Sequence, residues 1–255
     1  MRKLALLIAL AAALGVALFL RSDIRNDVAL LNAKATPIHG QSGVFLVTLT
    51  IQNDGDAKKL VNIEAPSAAS ITMMNPGYED ASIVIPAEST GIFSTDGAHI
   101  MLMTTNADFA EGTFVPLSLT FENYGIVTTR LLNVGTNMAA MNHGGTGGVS
   151  ARPSPKLRIT APDGISEAGF HLKLEVEDFS FVLAPDGTQH IQNEGHAHVY
   201  LNGLKLRRLY EKNFALGAIP PDKYELKIAL NTNDHRPYVN NGEAISQVLS
   251  FSIDK

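Results

Sequence analysis

A chain of 255 residues with 45% hydrophobic and 18% charged side chains has room for one large or two ordinary globular domains, and is too apolar for disorder. Its formal net charge of −5 leaves no surplus of Lys and Arg to neutralise phosphates, so no nucleic-acid partner is expected. Cysteine is absent, which excludes disulfides, iron–sulfur clusters, cysteine zinc sites, thiol nucleophiles and blue-copper centres; a transition metal here has to be held by His, Met or carboxylate.

The chain opens Met1-Arg2-Lys3, and an apolar run from Leu4 to Leu20 follows, closed by Arg21. The run is long for a signal-peptide core and slightly short for a membrane span. It reads as an uncleaved membrane anchor, with a cleaved signal peptide as the alternative. Both place the rest of the chain outside the cytoplasm.

From Asp27 to Val134 short alternating segments dominate. Phe45, Val47, Leu49 and Ile51 alternate with more polar neighbours, as in a half-buried strand, and Asn53-Asp54-Gly55-Asp56 supplies a turn. Val115, Leu117, Leu119 and Phe121 repeat the pattern, with Pro116 marking an edge strand or a bulge. Periodicity stops between Gly135 and Pro155, where Gly144-Gly145-Thr146-Gly147-Gly148 makes a flexible linker. Alternation resumes with Phe170, Leu172, Leu174 and Val176, then Tyr224 to Leu230, then Leu249, Phe251 and Ile253. Both modules read as all-β sandwiches.

Three constellations carry chemistry. In His99-Ile100-Met101-Leu102-Met103, strand alternation puts His99, Met101 and Met103 on one face and sends Ile100 and Leu102 inward. Imidazole with thioether sulfur suits Cu(I). The plain alternative is a strand whose methionines fill a gap in the core. Met73-Met74 weighs against it, because four of the seven methionines then fall in two nearby clusters. Second, Met138, Met141 and His143 sit in the linker, as a metal-recruiting arm or as composition without function. Third, His196, His198 and Tyr200 share one face of a strand, with Asp234-His235 after a later strand. Two imidazoles at this spacing, with His235 as a third and Asp234 as ligand or orienting group, suit Cu(II) or Zn. His171 and His190 are weaker additions. The alternative is histidines that solvate a polar face.

The order of segments Ser42–Phe45, Leu49–Gly55, Lys59–Val61, Ala65–Ser67, Ile85–Ala87, Gly97–Met103 and Glu111–Leu117 resembles the PCuAC family of periplasmic copper chaperones. The resemblance implies that His99 and Met101 bind Cu(I). The family's first ligand falls near Thr72 to Met74, which implies Met73 or Met74. Its second methionine falls near Gly77, where this chain has none, leaving three ligands or a place for Met103. The resemblance further implies delivery of copper to a respiratory oxidase assembly target. The run from Gly195 to Gly203, with Asn231–His235, resembles a poorly characterised periplasmic domain that accompanies copper-handling proteins.

The expected fold class is therefore all-β, two β-sandwich domains of cupredoxin or immunoglobulin-like type after an N-terminal anchor or signal helix. Residues 1–22 form the anchor or signal, 23–134 the chaperone-like domain, 135–155 the linker and 156–255 the His-bearing domain. The expected function is a non-enzymatic, periplasmic copper chaperone held at the inner membrane. A copper or zinc enzyme using His196, His198 and His235, or a partner-binding β protein without metal, stands as the alternative.

Overall fold

The computed structural model describes residues 27–105, 109–136, 147–185 and 188–254. The N-terminal apolar run and the arm with Met138, Met141 and His143 lie outside the described residues. Among those described, no helix is long and apolar enough to cross a membrane.

The protein is all-β. Its first half contains β1 (Val28–Pro37), β2 (Val44–Asn53), β3 (Lys58–Glu64), β4 (Ser70–Met74), β5 (Ile83–Ile85), β6 (Ser89–Phe93), β7 (His99–Met103), β8 (Phe114–Phe121) and β9 (Gly125–Asn133). Its second half contains β10 (Val149–Ser150), β11 (Lys156–Thr160), β12 (Phe170–Glu177), β13 (Ser180–Phe181), β14 (Glu194–Leu201), β15 (Leu204–Leu209), β16 (Asn213–Leu216), β17 (Asp222–Thr232), β18 (Tyr238–Asn240), β19 (Glu243–Ala244) and β20 (Ser246–Ile253).

The alternating segments fold as their pattern dictates. Phe45, Val47, Leu49 and Ile51 of β2 are buried, as are Val115, Leu117, Leu119 and Phe121 of β8. Pro116 is tolerated for a local reason. β8 lies between β9 and β3, but its pairing with β3 ends at Glu64 opposite Ser118, so Pro116 faces a partner only on β9. The Asn53 turn holds because the Asn53 amide donates to the carbonyls of Asp56 and Pro86.

β2 organises the site-bearing edge of the first half. Its residues Val44–Val47 pair with β7 and Leu49–Asn53 with β6, so the 94–98 turn joining β6 to β7 stands at the middle of the strand. β4 then pairs with the outer side of β7. In the second half, β20, β17, β14 and β15 form a continuous antiparallel sheet. Against it lies the smaller sheet β11-β12-β16, with Phe170 edge-on to Phe251 at 5.4 Å between ring centres.

The two halves share hydrogen bonds rather than merely touching. β15 pairs with β6 at Lys205 and Ile92, which joins both halves into one sheet path. The β14–β15 hairpin turns through Asn202 and Gly203 at φ +46° and +79°, the left-handed pair an Asn-Gly hairpin turn needs. Its tip is seated in the first half. The Gly203 carbonyl accepts from the Ala98 amide at 2.9 Å, and the Asn202 carbonyl accepts from the Asn75 side chain at 2.9 Å. The Tyr78 hydroxyl closes the latch on the Glu225 carboxylate.

A Cβ on Gly203 would lie 2.1 Å from Asn75 Oδ1, an atom whose side chain is tied down by that latch, and the backbone is left-handed there. Gly203→Ala is therefore expected to cost about 1–3 kcal/mol of stability. Denaturant unfolding of the full chain measures it, and a parental midpoint would contradict the seated-tip geometry.

Candidate metal sites

The first candidate site is the outer face of β7. Register sets Met74 of β4 opposite His99, Thr72 opposite Met101 and Ser70 opposite Met103. Met73 is opposite Ile100 and packs with the core, so the adjacent methionines point to different faces. Of the Met73/Met74 pair, Met74 is thus the one that shares a face with His99 and Met101. Directly opposed side chains carry Cβ atoms about 4.5–5.5 Å apart, close enough for an imidazole and a thioether to meet one ion. The face is open: Met74 is 43% and Met103 48% exposed, and His99 and Met101 are half-buried. His99 Nδ1 lies 3.0 Å from the Gly97 carbonyl, so it donates its proton there and Nε2 presents a lone pair outward. His99 also borders a cleft of about 260 Å³ between the halves, with Asp96, Tyr200 and Lys227 on its walls.

The second candidate site is a pocket of three imidazoles. His196 and His198 project from the same face of β14, and His235 reaches over them from the 232–236 turn. Sequence alternation expects that face to be polar and open. Instead His196 is 1% and His198 2% exposed, which overturns the surface-histidine alternative. The cause is tertiary. The 94–98 turn of the first half, Tyr210 and the His235 turn all cover this face, so β14 is buried on both sides.

Local backbone explains the aim of each ring. Gly195 precedes His196 because a Cβ there would lie 2.0 Å from the Asn231 carbonyl of β17. His235 sits at φ +67°, its amide donating to the Thr232 carbonyl at 3.0 Å while the Thr232 amide donates to Arg236. A non-glycine residue in left-handed backbone is uncommon, though His is among those enriched there.

The nitrogens converge. His196 Nε2 is 2.9 Å from His198 Nε2 and 3.3 Å from His235 Nδ1, and one nitrogen from each ring falls within 4.8 Å of the others. Behind them, His198 Nδ1 lies 2.9 Å from Asp96 Oδ2, an oxygen that also accepts from Tyr200 Oη and Lys205 Nζ, each at 2.9 Å. Asp96 was not among the residues that the sequence singled out, and nothing in its Asp-Gly turn distinguishes it from an ordinary turn aspartate. Asp234, which was singled out, is engaged elsewhere: it accepts from Thr232 and pairs with Arg236 at 2.7 Å. His171 lies on the opposite sheet, exposed beside Asp163, and His190 lies against Tyr238.

Burial, then the positive charges of its neighbours, lowers His196 to about 2. Burial lowers His198 to about 4 despite its bond to Asp96. Burial alone would raise Asp96, but the His198 hydrogen bond and Lys205 charge prevail and hold it well below the usual carboxylate range.

Residues 28–134 match the family model named LpqE-like. No curated protein matches the chain. Solved structures similar to part of it include a copper-bound PCuAC domain from PmoF2, at 16% identity and TM-score 0.38, covering 43% of this chain and 94% of that one. An apo PCuAC domain from PmoF1 aligns at 18% identity and TM-score 0.38, over 42% and 93%. CuI-DR1885 from Deinococcus radiodurans aligns at 20% identity and TM-score 0.37, over 46% and 83%.

The histidine shifts have a sign. Both folded values lie below the ordinary 6.5, so below that pH the unfolded chain binds more protons than the native one. Stability of the metal-free protein is therefore full above about pH 6.5 and falls between about 6.5 and 4, by on the order of 1 kcal/mol per pH unit for each histidine. Melting curves across pH 4–7.5 check it, and His196→Gln is expected to flatten the slope.

Proposed function

We propose that the protein is an extracytoplasmic copper-handling protein whose first half carries Cu(I) as cargo on the outer face of β7. The observation that carries this reading is the pairing of Met74 with His99 across β4 and β7, with Met101 on the same face. The resemblance of this half to PCuAC copper chaperones supports it, as does its match to the LpqE-like family model. His99 supplies the imidazole through Nε2, Met101 and Met74 supply thioethers, and Met103 extends the sulfur-bearing face by one more position. Soft donors without thiolate favour Cu(I) over harder cations.

Exposure fits transfer rather than storage. A cargo ion has to be reached by the donor groups of a second protein, and a face with Met74 and Met103 nearly half exposed permits that approach. The receiving partner in this proposal is a copper-accepting protein such as an oxidase assembly target. The organisation proposed is residues 23–134 as the chaperone domain and 156–255 as a second domain, with residues 1–22 holding the chain at the inner membrane on the periplasmic side.

Met101→Leu preserves volume and deletes sulfur, so the fold is expected to stand while Cu(I) affinity drops about tenfold, equivalent to about 1.4 kcal/mol. His99→Ala is expected to lower affinity at least as far. Competition against a Cu(I) chelator under anaerobic conditions reads both, and parental affinity in both variants would end the chaperone reading of this face.

A further inference from the structure

We infer that the pocket of His196, His198 and His235 is a second metal site, one that takes a divalent transition ion, Cu²⁺ or Zn²⁺, with Asp96 as its positioning residue. This goes beyond the Cu(I) reading and does not depend on it.

Three features carry the inference. The first is spacing. Three imidazole nitrogens bound to one tetrahedral ion at about 2.0–2.1 Å lie about 3.3 Å from one another. From His196 Nε2 the distances here are 2.9 Å to His198 Nε2 and 3.3 Å to His235 Nδ1, and one nitrogen of each ring lies within 4.8 Å of the others. The second is proton count. Asp96 accepts a hydrogen bond from His198 Nδ1–H, and in that neutral tautomer His198 Nε2 carries a lone pair. His235 Nδ1 approaches the same point, lying 3.3 Å from His196 Nε2. A cation at the convergence point satisfies all three nitrogens together.

The third is the support behind the ligands. A carboxylate bonded to the far nitrogen of a metal-bound histidine fixes its tautomer and raises its basicity. Asp96 does this for His198, while Tyr200 and Lys205 hold the same oxygen in place. Lys205 and Arg208 bring positive charge near the pocket, and Asp96 pairs with Lys205. The donor set contains nitrogen alone, which suits the borderline ions Cu²⁺ and Zn²⁺ and gives Cu(I) none of the sulfur found on β7. Three protein ligands leave a fourth position open, and half-buried His235 is the side from which an ion enters.

The test uses the full chain in detergent, titrated separately with Zn²⁺ and Cu²⁺ by calorimetry, with electron paramagnetic resonance on the copper form. Expected is one ion per chain and nitrogen hyperfine structure from three imidazoles. His235→Gly deletes a ring where φ +67° already suits glycine, so the metal-free melting temperature is expected to hold while affinity falls at least 100-fold. The double variant His99→Ala, Met101→Leu is expected to bind the divalent ion as the parent does, which separates this site from the β7 face. Asp96→Asn is expected to keep one ion per chain, weaken it 10- to 100-fold and alter the copper spectrum. No stoichiometric binding by the parent, or parental binding by His235→Gly, overturns the site. An unchanged affinity and spectrum in Asp96→Asn overturns the positioning role.

Discussion

One carboxylate oxygen, Oδ2 of Asp96, is the point on which the junction of the two halves depends. It is contributed by a turn of the first half and accepts from His198, Tyr200 and Lys205 of the second. Lys205 is 7% exposed and His198 2%, and buried polar groups of this kind are tolerated only when paired. Asp96 keeps 38% of its own side chain exposed, and the His198 hydrogen bond and Lys205 charge outweigh the desolvation of the rest. Without it, His198, Tyr200 and Lys205 would lose the carboxylate oxygen that they share.

The same junction accounts for a gap in the first site. The resemblance of the sequence to PCuAC domains implies a methionine near Gly77, and this chain has none. The segment from Asn75 to Tyr78 is instead committed to the second half, with the Asn75 amide on the Asn202 carbonyl and Tyr78 on Glu225. That leaves the β7 face with Met74, His99 and Met101, more open than a closed four-donor site.

The two candidate sites differ in the physical property that sets exchange. The β7 face is half exposed and sulfur-bearing, suited to giving up a soft ion to a partner that approaches it directly. The imidazole pocket is buried, nitrogen-only and braced by hydrogen bonds, suited to holding an ion in a fixed geometry. They lie on opposite sides of one short turn, since Asp96 and His99 are separated by Gly97 and Ala98. Gly97 is needed between them, as a Cβ there would fall 2.7 Å from the Gly203 carbonyl.

Strand alternation by itself determined the all-β class, the buried rows of β2, β8 and β12, and the common face of His99, Met101 and Met103. It could do so because a period of two is a local property, set by backbone geometry whatever the partner strand. It also determined that His196 and His198 share a face. Register between strands is not local, so only the tertiary structure chose Met74 over Met73, turning on which residue of β4 falls opposite His99. Only the tertiary structure buried the histidines of β14, because what covers a strand's polar face comes from distant parts of the chain. Asp96 stayed hidden for the same reason. Its role exists at a contact 102 residues away in sequence, between Asp96 and His198, and no periodicity reports such a contact.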